Sequence, residues 1–220
     1  HGAAAEQVAN TENYYSTLKQ QLLKLIGNAL QNLQPAQLGY THGRAGFAMN
    51  RRLPTETEPR NAPFPDGPVD HDVPILKIET PTGELRALLF GYACHNTTLS
   101  FYQFCGDYAG FAQYDLETTF PGVIAMFMTG CGGDQNPQPR GELQLAEHHG
   151  STLAIAVRAG LLGPVKPITG TLRSAFESVE LEFATPPPRE QQEALQKETP
   201  EYSKRRAAAL LKQLEDNGKI

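Results

Sequence analysis

Two polar clusters in this 220-residue sequence each follow directly after an apolar run of the kind that forms a strand. The first runs from Cys94 to Thr98 and the second from Gly130 to Asn136. In open α/β sheets, ligands bind beyond the carboxyl ends of the strands. If the two strands are neighbours, the two clusters meet at one edge of the sheet and form a candidate site.

The residue types in these clusters suit two kinds of chemistry. His95 lies among hydroxyl and amide side chains, which fits a neutral imidazole that binds zinc while a neighbour holds its second nitrogen. Gly130, Gly132 and Gly133 permit positive φ and let backbone N–H groups approach a substrate, as an oxyanion hole requires. A structural histidine and a simple tight turn are the alternatives. The motifs of serine α/β-hydrolases, zincins and P-loop proteins are absent from the sequence.

The surrounding pattern predicts an α/β fold with mixed β-sheets flanked by helices, because a hairpin accompanies two strand–loop–helix units. Apolar spacing and Pro or Gly punctuation predict the elements. The predicted helices span residues 12–33, 107–119 with Asp107 as N-cap, 142–161, and a last segment with Thr199 as N-cap, Pro200 at its first position and Gly218 at its end. The predicted strands span residues 37–41, 73–80 and 85–94 (a hairpin), 122–128 (buried), and one or two within 169–183. Residues 50–72, with five prolines, are predicted to be a long irregular segment.

Composition limits the classes of partner. The net charge of −5 and the absence of Lys/Arg clusters argue against nucleic acid. No apolar run reaches the roughly 18–20 residues of a membrane-spanning helix. Cys94 and Cys131 are predicted to be small buried hydrophobes, with a disulfide or a reactive thiol left open. The chain begins at His1 without a methionine and stops at Ile220, so we expect an internal fragment.

Five segments in consistent order, across about residues 35–185, resemble the N-terminal catalytic domain of the neutral/alkaline (non-lysosomal) ceramidases, and more closely the bacterial branch of that family. The segments are Asn50–Arg52, Val69–Leu76, Phe90–Thr98, Gly106–Ala112 and Gly132–Pro137. The resemblance implies that residues 1–185 are part of this domain. Residues 186–220 then form a proline-linked, charged helical segment of the same domain, truncated at its end.

Ceramidases similar to this chain hydrolyse the amide of N-acyl-sphingosine with one zinc, held by two histidines, a glutamate and a tyrosine. His95 matches the second histidine, and the other three ligands are expected outside this chain. The resemblance also implies Gly133, Asp134 and Asn136 as catalytic residues, and Asn50, Arg51 and Thr97 as substrate-binding residues. It implies a secreted or periplasmic enzyme that contacts a membrane surface.

The chain departs from the ceramidases at the proposed nucleophile. Their loop reads Gly-Asp-x-Ser-Pro-Asn, whereas Asn136 stands here at the position of the serine. An amide cannot act as that nucleophile, so metal-activated water attacks or the substrate differs. We therefore expect a zinc-dependent hydrolase of an N-acyl lipid amide or a related amide, inactive as this fragment alone. The alternatives are a thiol hydrolase, with Cys94 or Cys131 as nucleophile and His95 as base, and a non-catalytic relative that binds lipid or carbohydrate.

Overall fold

The computed structural model describes residues 5–181, 188–197 and 201–217. They form two compact units, one of residues 34–171 and one made of the described residues before 34 and after 171. The predicted boundary at residues 185 and 186, and the predicted cap residues Thr199, Pro200 and Gly218, lie outside the described residues. No helix among the described residues has the length and apolar character needed to cross a bilayer.

The described residues contain five helices and eight strands, numbered in chain order. The helices are α1 (Ala5–Gln31), α2 (Asp107–Thr119), α3 (Leu143–Leu162), α4 (Arg189–Leu195) and α5 (Glu201–Asn217). The strands are β1 (Gln37–Arg44), β2 (Ala48–Leu53), β3 (Arg60–Phe64), β4 (Asp72–Glu79), β5 (Leu85–Tyr92), β6 (Ile124–Thr129), β7 (Gln135–Pro137) and β8 (Lys166–Ile168). The predicted α/β class is confirmed.

The described residues of the unit that contains both ends of the chain form α1, α4 and α5, together with residues 172–181, which lie outside any helix or strand. The predicted N-terminal helix is present as α1, but its apolar residues Leu22, Leu25 and Leu30 are exposed. α4 and α5 pack on each other, and Ala207 and Leu211 of α5 are buried.

The other unit contains a mixed sheet with strand order β6-β5-β4-β1-β8. β5 and β6 are parallel, whereas the other neighbours are antiparallel. The predicted hairpin is confirmed as β4 and β5, and its turn uses Gly83 at φ +86°, a conformation that favours glycine. Strands β3, β2 and β7 form a second, antiparallel sheet.

The core of this unit is built from alternate residues of the mixed sheet and from the facing sides of α2 and α3. It includes Val73 and Ile75 of β4, Leu88 and Phe90 of β5, Leu116 of α2, and Leu153 and Val157 of α3, all fully buried. Full burial stabilises each such side chain by about 1.5–3 kcal/mol. Gly150 allows α3 to approach α2 closely, since a Cβ there would lie 2.4 Å from Cβ of Phe111.

Four predictions of local structure are wrong. Residues 50–72 contain the end of β2 and all of β3, because strand pairing overrides the high proline content. No strand forms within the described residues 169–181, and β8 precedes them. β6 is buried on one face only, where Ala125 lies, so Ile124 and Met128 on the opposite face are exposed rather than buried. Gly106, not Asp107, occupies the N-cap position of α2.

Candidate functional site

The ends of β5 and β6 lie side by side because the two strands are parallel neighbours. The β5–α2 loop (residues 93–106) and the glycine loop (residues 130–134) therefore begin at the same edge of the sheet. The backbone N–H of Gly130 donates to the carbonyl of Tyr92 at 3.0 Å, and that of His95 donates to the carbonyl of Gln135 at 3.1 Å. The expectation that the two polar clusters meet is confirmed, and His95 contacts the residue bonded to Asn136.

His95 is half-buried, and its ring is held by the main chain of the second cluster. Its Nδ1 lies 2.8 Å from the carbonyl oxygen of Gly132 and 3.1 Å from that of Gln135. Because a carbonyl oxygen can only accept, Nδ1 must carry the proton. Nε2 then has a free lone pair, as a metal ligand or a general base requires.

Gly132 allows the close contact between the two loops. A Cβ at this position would lie 2.4 Å from the backbone nitrogen of Cys94 and 2.5 Å from the carbonyl carbon of Ala93. None of Gly130, Gly132 and Gly133 uses the positive φ that glycine permits. The sequence predicted that these glycines allow close approach to a substrate. At Gly132 a close approach does require glycine, but the group that approaches is the backbone of Ala93 and Cys94.

The pairing of β2 with β7 brings most of the predicted site residues together. Asn50 is buried and its Nδ2 lies 3.3 Å from a carboxylate oxygen of Asp134. Arg51 Nη2 donates to the carbonyl of Gly133 at 3.0 Å, and Nη1 makes a long hydrogen bond of 3.4 Å to Oδ1 of the buried Asn136. Since Asn136 Oδ1 faces the guanidinium, its Nδ2 is left as a donor.

Arg51 holds the glycine loop in this structure. Its Nε also donates to the carbonyl of Gly133, at 3.2 Å, and Arg52 Nη2 donates to the same oxygen at 3.2 Å. Among the described residues, the backbone N–H groups of Gly133 and Asp134 have no hydrogen-bond partner. The loop therefore turns its carbonyls toward the protein and leaves two N–H donors for another group. The role of Arg51 in binding substrate stays a prediction.

Thr97 is the predicted site residue that no observed bond joins to this cluster. Its Oγ1 is buried without a hydrogen-bond partner, and so is Oγ1 of Thr98. Thr97 follows His95 by two positions in the same loop. The contact of Thr97 with substrate stays a prediction.

The three cysteines are free. Cys94 is buried as predicted, and burial raises the pKa of its thiol from 9.0 to about 12. That pKa opposes its use as a nucleophile, because the thiolate is the reactive form. The prediction that Cys131 is buried is wrong: it is exposed, because the glycine loop leaves the edge strand β6.

A complete metal centre is not found within the described residues, where no group of three or more His, Cys, Asp and Glu side chains could hold an ion. Zinc needs three or four protein ligands. His95 fits as one of them, but the described residues do not make a zinc site on their own.

Asp107 and Tyr108 contact the His95 segment, although the sequence placed them only at a helix start and in the Gly106–Ala112 segment that resembles the ceramidases, without a role at the site. The Asp107 carboxylate accepts hydrogen bonds from the backbone N–H groups of Thr98 and Leu99, and Tyr108 donates its hydroxyl to the carbonyl of Cys94. Gln135 was also overlooked; its side-chain oxygen accepts from the backbone N–H of Asp70. One sequence feature could have indicated this contact. Asp107 and Tyr108 carry polar groups at the start of a helix, where their side chains can hydrogen-bond to the loop that precedes the helix.

Two solved structures are similar to this chain. One is a ceramidase complexed with C2, with 21% sequence identity and a TM-score of 0.55, covering 65% of this chain and 25% of that chain. The other is the neutral ceramidase from Pseudomonas aeruginosa, with 22% identity and a TM-score of 0.55, covering 66% of this chain and 26% of that chain. No family model and no curated protein matches the chain. The chain spans about a quarter of the ceramidase chains, and the resemblance seen in the sequence is confirmed as a likeness of fold to that part of them.

Proposed function

We propose that this chain is part of a zinc-dependent hydrolase that cleaves the amide bond of an N-acyl lipid or a related amide. The observation that carries the proposal is the state of His95, whose Nδ1 proton is held by two backbone carbonyls while Nε2 stays available. His95 would be one zinc ligand, and the remaining ligands would come from residues outside the described ones. Zinc bound there would supply a Lewis acid for the amide carbonyl and for water.

The chain's own residues suit the stabilisation of an oxyanion. Asn136 Nδ2 and the unbonded N–H groups of Gly133 and Asp134 are donors on one short segment, and Arg51 fixes that segment through the Gly133 carbonyl. Donors held in place before the reaction cost no reorganisation as charge develops on the carbonyl oxygen. In this role Asn136 binds the reacting carbonyl and does not replace the family's serine as a nucleophile.

A cavity beside the site offers room for part of a substrate. It has a volume of about 360 Å³, lies along the β5–α2 loop, and is lined by Leu99, Phe101 and Tyr102 together with polar residues that include Asn96, Ser100 and Gln103. Small-molecule sites combine apolar surface with polar groups that fix the orientation of the ligand. A ceramidase complexed with C2 has a similar fold over 65% of this chain. The secreted or periplasmic location and the contact with a membrane surface belong to the same proposal.

The test uses the full-length protein and compares His95→Ala and Asn136→Ala with His148→Ala, a control at an exposed histidine of α3. We expect His95→Ala to lose both zinc, measured by elemental mass spectrometry, and hydrolysis of N-acyl-sphingosine. Asn136→Ala should keep zinc and lose roughly 100-fold in kcat, as removal of an oxyanion donor does. Stoichiometric zinc and full activity in His95→Ala would contradict the proposal. The 220-residue chain alone should bind zinc weakly and show no turnover.

A further inference from the structure

Asp107, the first residue of α2, has an unusual backbone conformation. Its φ is +51°, the only positive value at a non-glycine residue in the described part of the chain, and its side chain is 6% exposed. The left-handed region is costly for residues with a Cβ, although Asp tolerates it better than most. A buried acidic side chain in this conformation persists only where the surroundings compensate.

The compensation comes from the β5–α2 loop. One carboxylate oxygen of Asp107 accepts from the N–H groups of Tyr108 at 2.7 Å and Thr98 at 3.2 Å, and the other accepts from that of Leu99 at 2.9 Å. Hydrogen bonds to a charged acceptor are roughly twice as strong as neutral ones. The carboxylate therefore fixes the loop three and four residues after His95.

Tyr108 fixes the same loop on the other side of His95. Its ring is fully buried, and its hydroxyl donates to the carbonyl of Cys94 at 2.8 Å. Burial raises the pKa of Tyr108, so the hydroxyl keeps its proton and remains a donor. His95 thus lies between two anchored points, with its ring held by Gly132 from the glycine loop.

We propose that Asp107 and Tyr108 are positioning residues for His95, holding its imidazole in the Nδ1-protonated form against the glycine loop. The inference rests on the proposed function in assigning a use to that imidazole. The anchors act through the backbone: if Cys94 and Thr98 shift, the distance from Nδ1 to the Gly132 carbonyl lengthens, and the preference for one tautomer weakens.

The decisive variant is Tyr108→Phe, which removes the hydroxyl and keeps the ring. Tyr92→Phe is the control, since Tyr92 is also buried, and its hydroxyl donates to the carbonyl of Ala45 at 2.8 Å and accepts from the backbone N–H of Ala48 at 3.1 Å, both outside the β5–α2 loop. Nitrogen-15 NMR of histidine-labelled full-length protein, freed of metal, reports the tautomer of His95, with His95→Gln for assignment. We expect Tyr108→Phe to shift the His95 nitrogens toward the average of the two tautomers, and Tyr92→Phe to leave them unchanged.

Turnover gives a second readout. Loss of one hydrogen bond at the anchor should lower kcat about fivefold with little change in KM, whereas Tyr92→Phe should affect only stability. Asp107→Asn should act in the same direction, since its amide nitrogen replaces one accepting oxygen. If Asp107→Asn does not fold, Tyr108→Phe decides.

Equal effects of Tyr108→Phe and Tyr92→Phe on the His95 nitrogens would overturn the inference. Absence of amide hydrolysis in the unsubstituted protein would instead contradict the proposed function, and the NMR comparison would still test the positioning role.

Discussion

The β5–α2 loop and the glycine loop leave neighbouring parallel strands at the same edge of the sheet, yet different groups hold them. In the β5–α2 loop the backbone N–H groups of Thr98 and Leu99 donate to the buried carboxylate of Asp107, and the carbonyl of Cys94 accepts from Tyr108. The glycine loop offers backbone carbonyls, to which Arg51 and His95 donate. Both arrangements satisfy backbone groups without regular secondary structure.

The difference explains which groups are left for chemistry. In the β5–α2 loop, Nε2 of His95 stays available because Nδ1 donates to the carbonyls of Gly132 and Gln135. In the glycine loop the anchored carbonyls leave the N–H groups of Gly133 and Asp134 available. An available imidazole nitrogen therefore lies near a set of N–H donors, the arrangement that the proposed amide hydrolysis requires.

The largest loss of stability should follow from a substitution at Gly132, where the β5–α2 loop and the glycine loop are in contact. In Gly132→Ala the new Cβ would meet the backbone of Ala93 and Cys94, which cannot move as a flexible side chain could. We expect a loss of about 3 kcal/mol or more in the free energy of unfolding, measured by urea denaturation.

Gly133→Ala is the matched control, because a Cβ there has no atom within 4 Å and the residue does not have positive φ. Its stability should change by less than about 0.5 kcal/mol. Similar losses in the two variants would show that the loops do not meet at Gly132.

A smaller loss of stability should follow from substitution of Arg51, which holds the glycine loop. Arg51→Lys keeps the charge but removes the planar fork that donates twice to the Gly133 carbonyl. We expect about 1 kcal/mol lower stability, close to the effect of Arg51→Ala. Arg52→Ala removes one donor from an exposed side chain and should cost less. An Arg52 variant as damaging as the Arg51 variants would contradict the assigned anchor.

The smallest effect on stability is expected for Cys94 and Cys131, one near the start of each loop, where the measured quantity is the reactivity of the thiol. Iodoacetamide at pH 8 should label exposed Cys131 and leave buried Cys94 unmodified in the native protein, as measured by peptide mass spectrometry.

The folded protein retains the Cys94 proton to about pH 12, whereas an ordinary thiol loses it near 9.0. This thiol's stabilising contribution should therefore decline as pH rises through that range. Rapid labelling of native Cys94 would contradict its burial and revive the thiol alternative.

Local sequence features predicted the frame of the site. Alternating and three-to-four apolar spacing located the hairpin, α2 and α3, and the position of polar clusters after two strands indicated His95 and Asn136. These signals depend on residues close in the chain, so they can be interpreted without knowing the fold. The same applies to Gly83 in the hairpin turn.

The tertiary structure decided what holds and completes the site. Pairing of β2 with β7 joins residues more than eighty positions apart, and it turned a proline-rich segment into the support for Asn136. The burial of Cys94, the exposure of Cys131, the contact at Gly132 and the anchors Asp107 and Tyr108 likewise depend on which strands become neighbours. Sequence by itself determined which residues could react, whereas long-range backbone hydrogen bonds and burial determined which of them face one another, because those interactions form only when the sheets assemble.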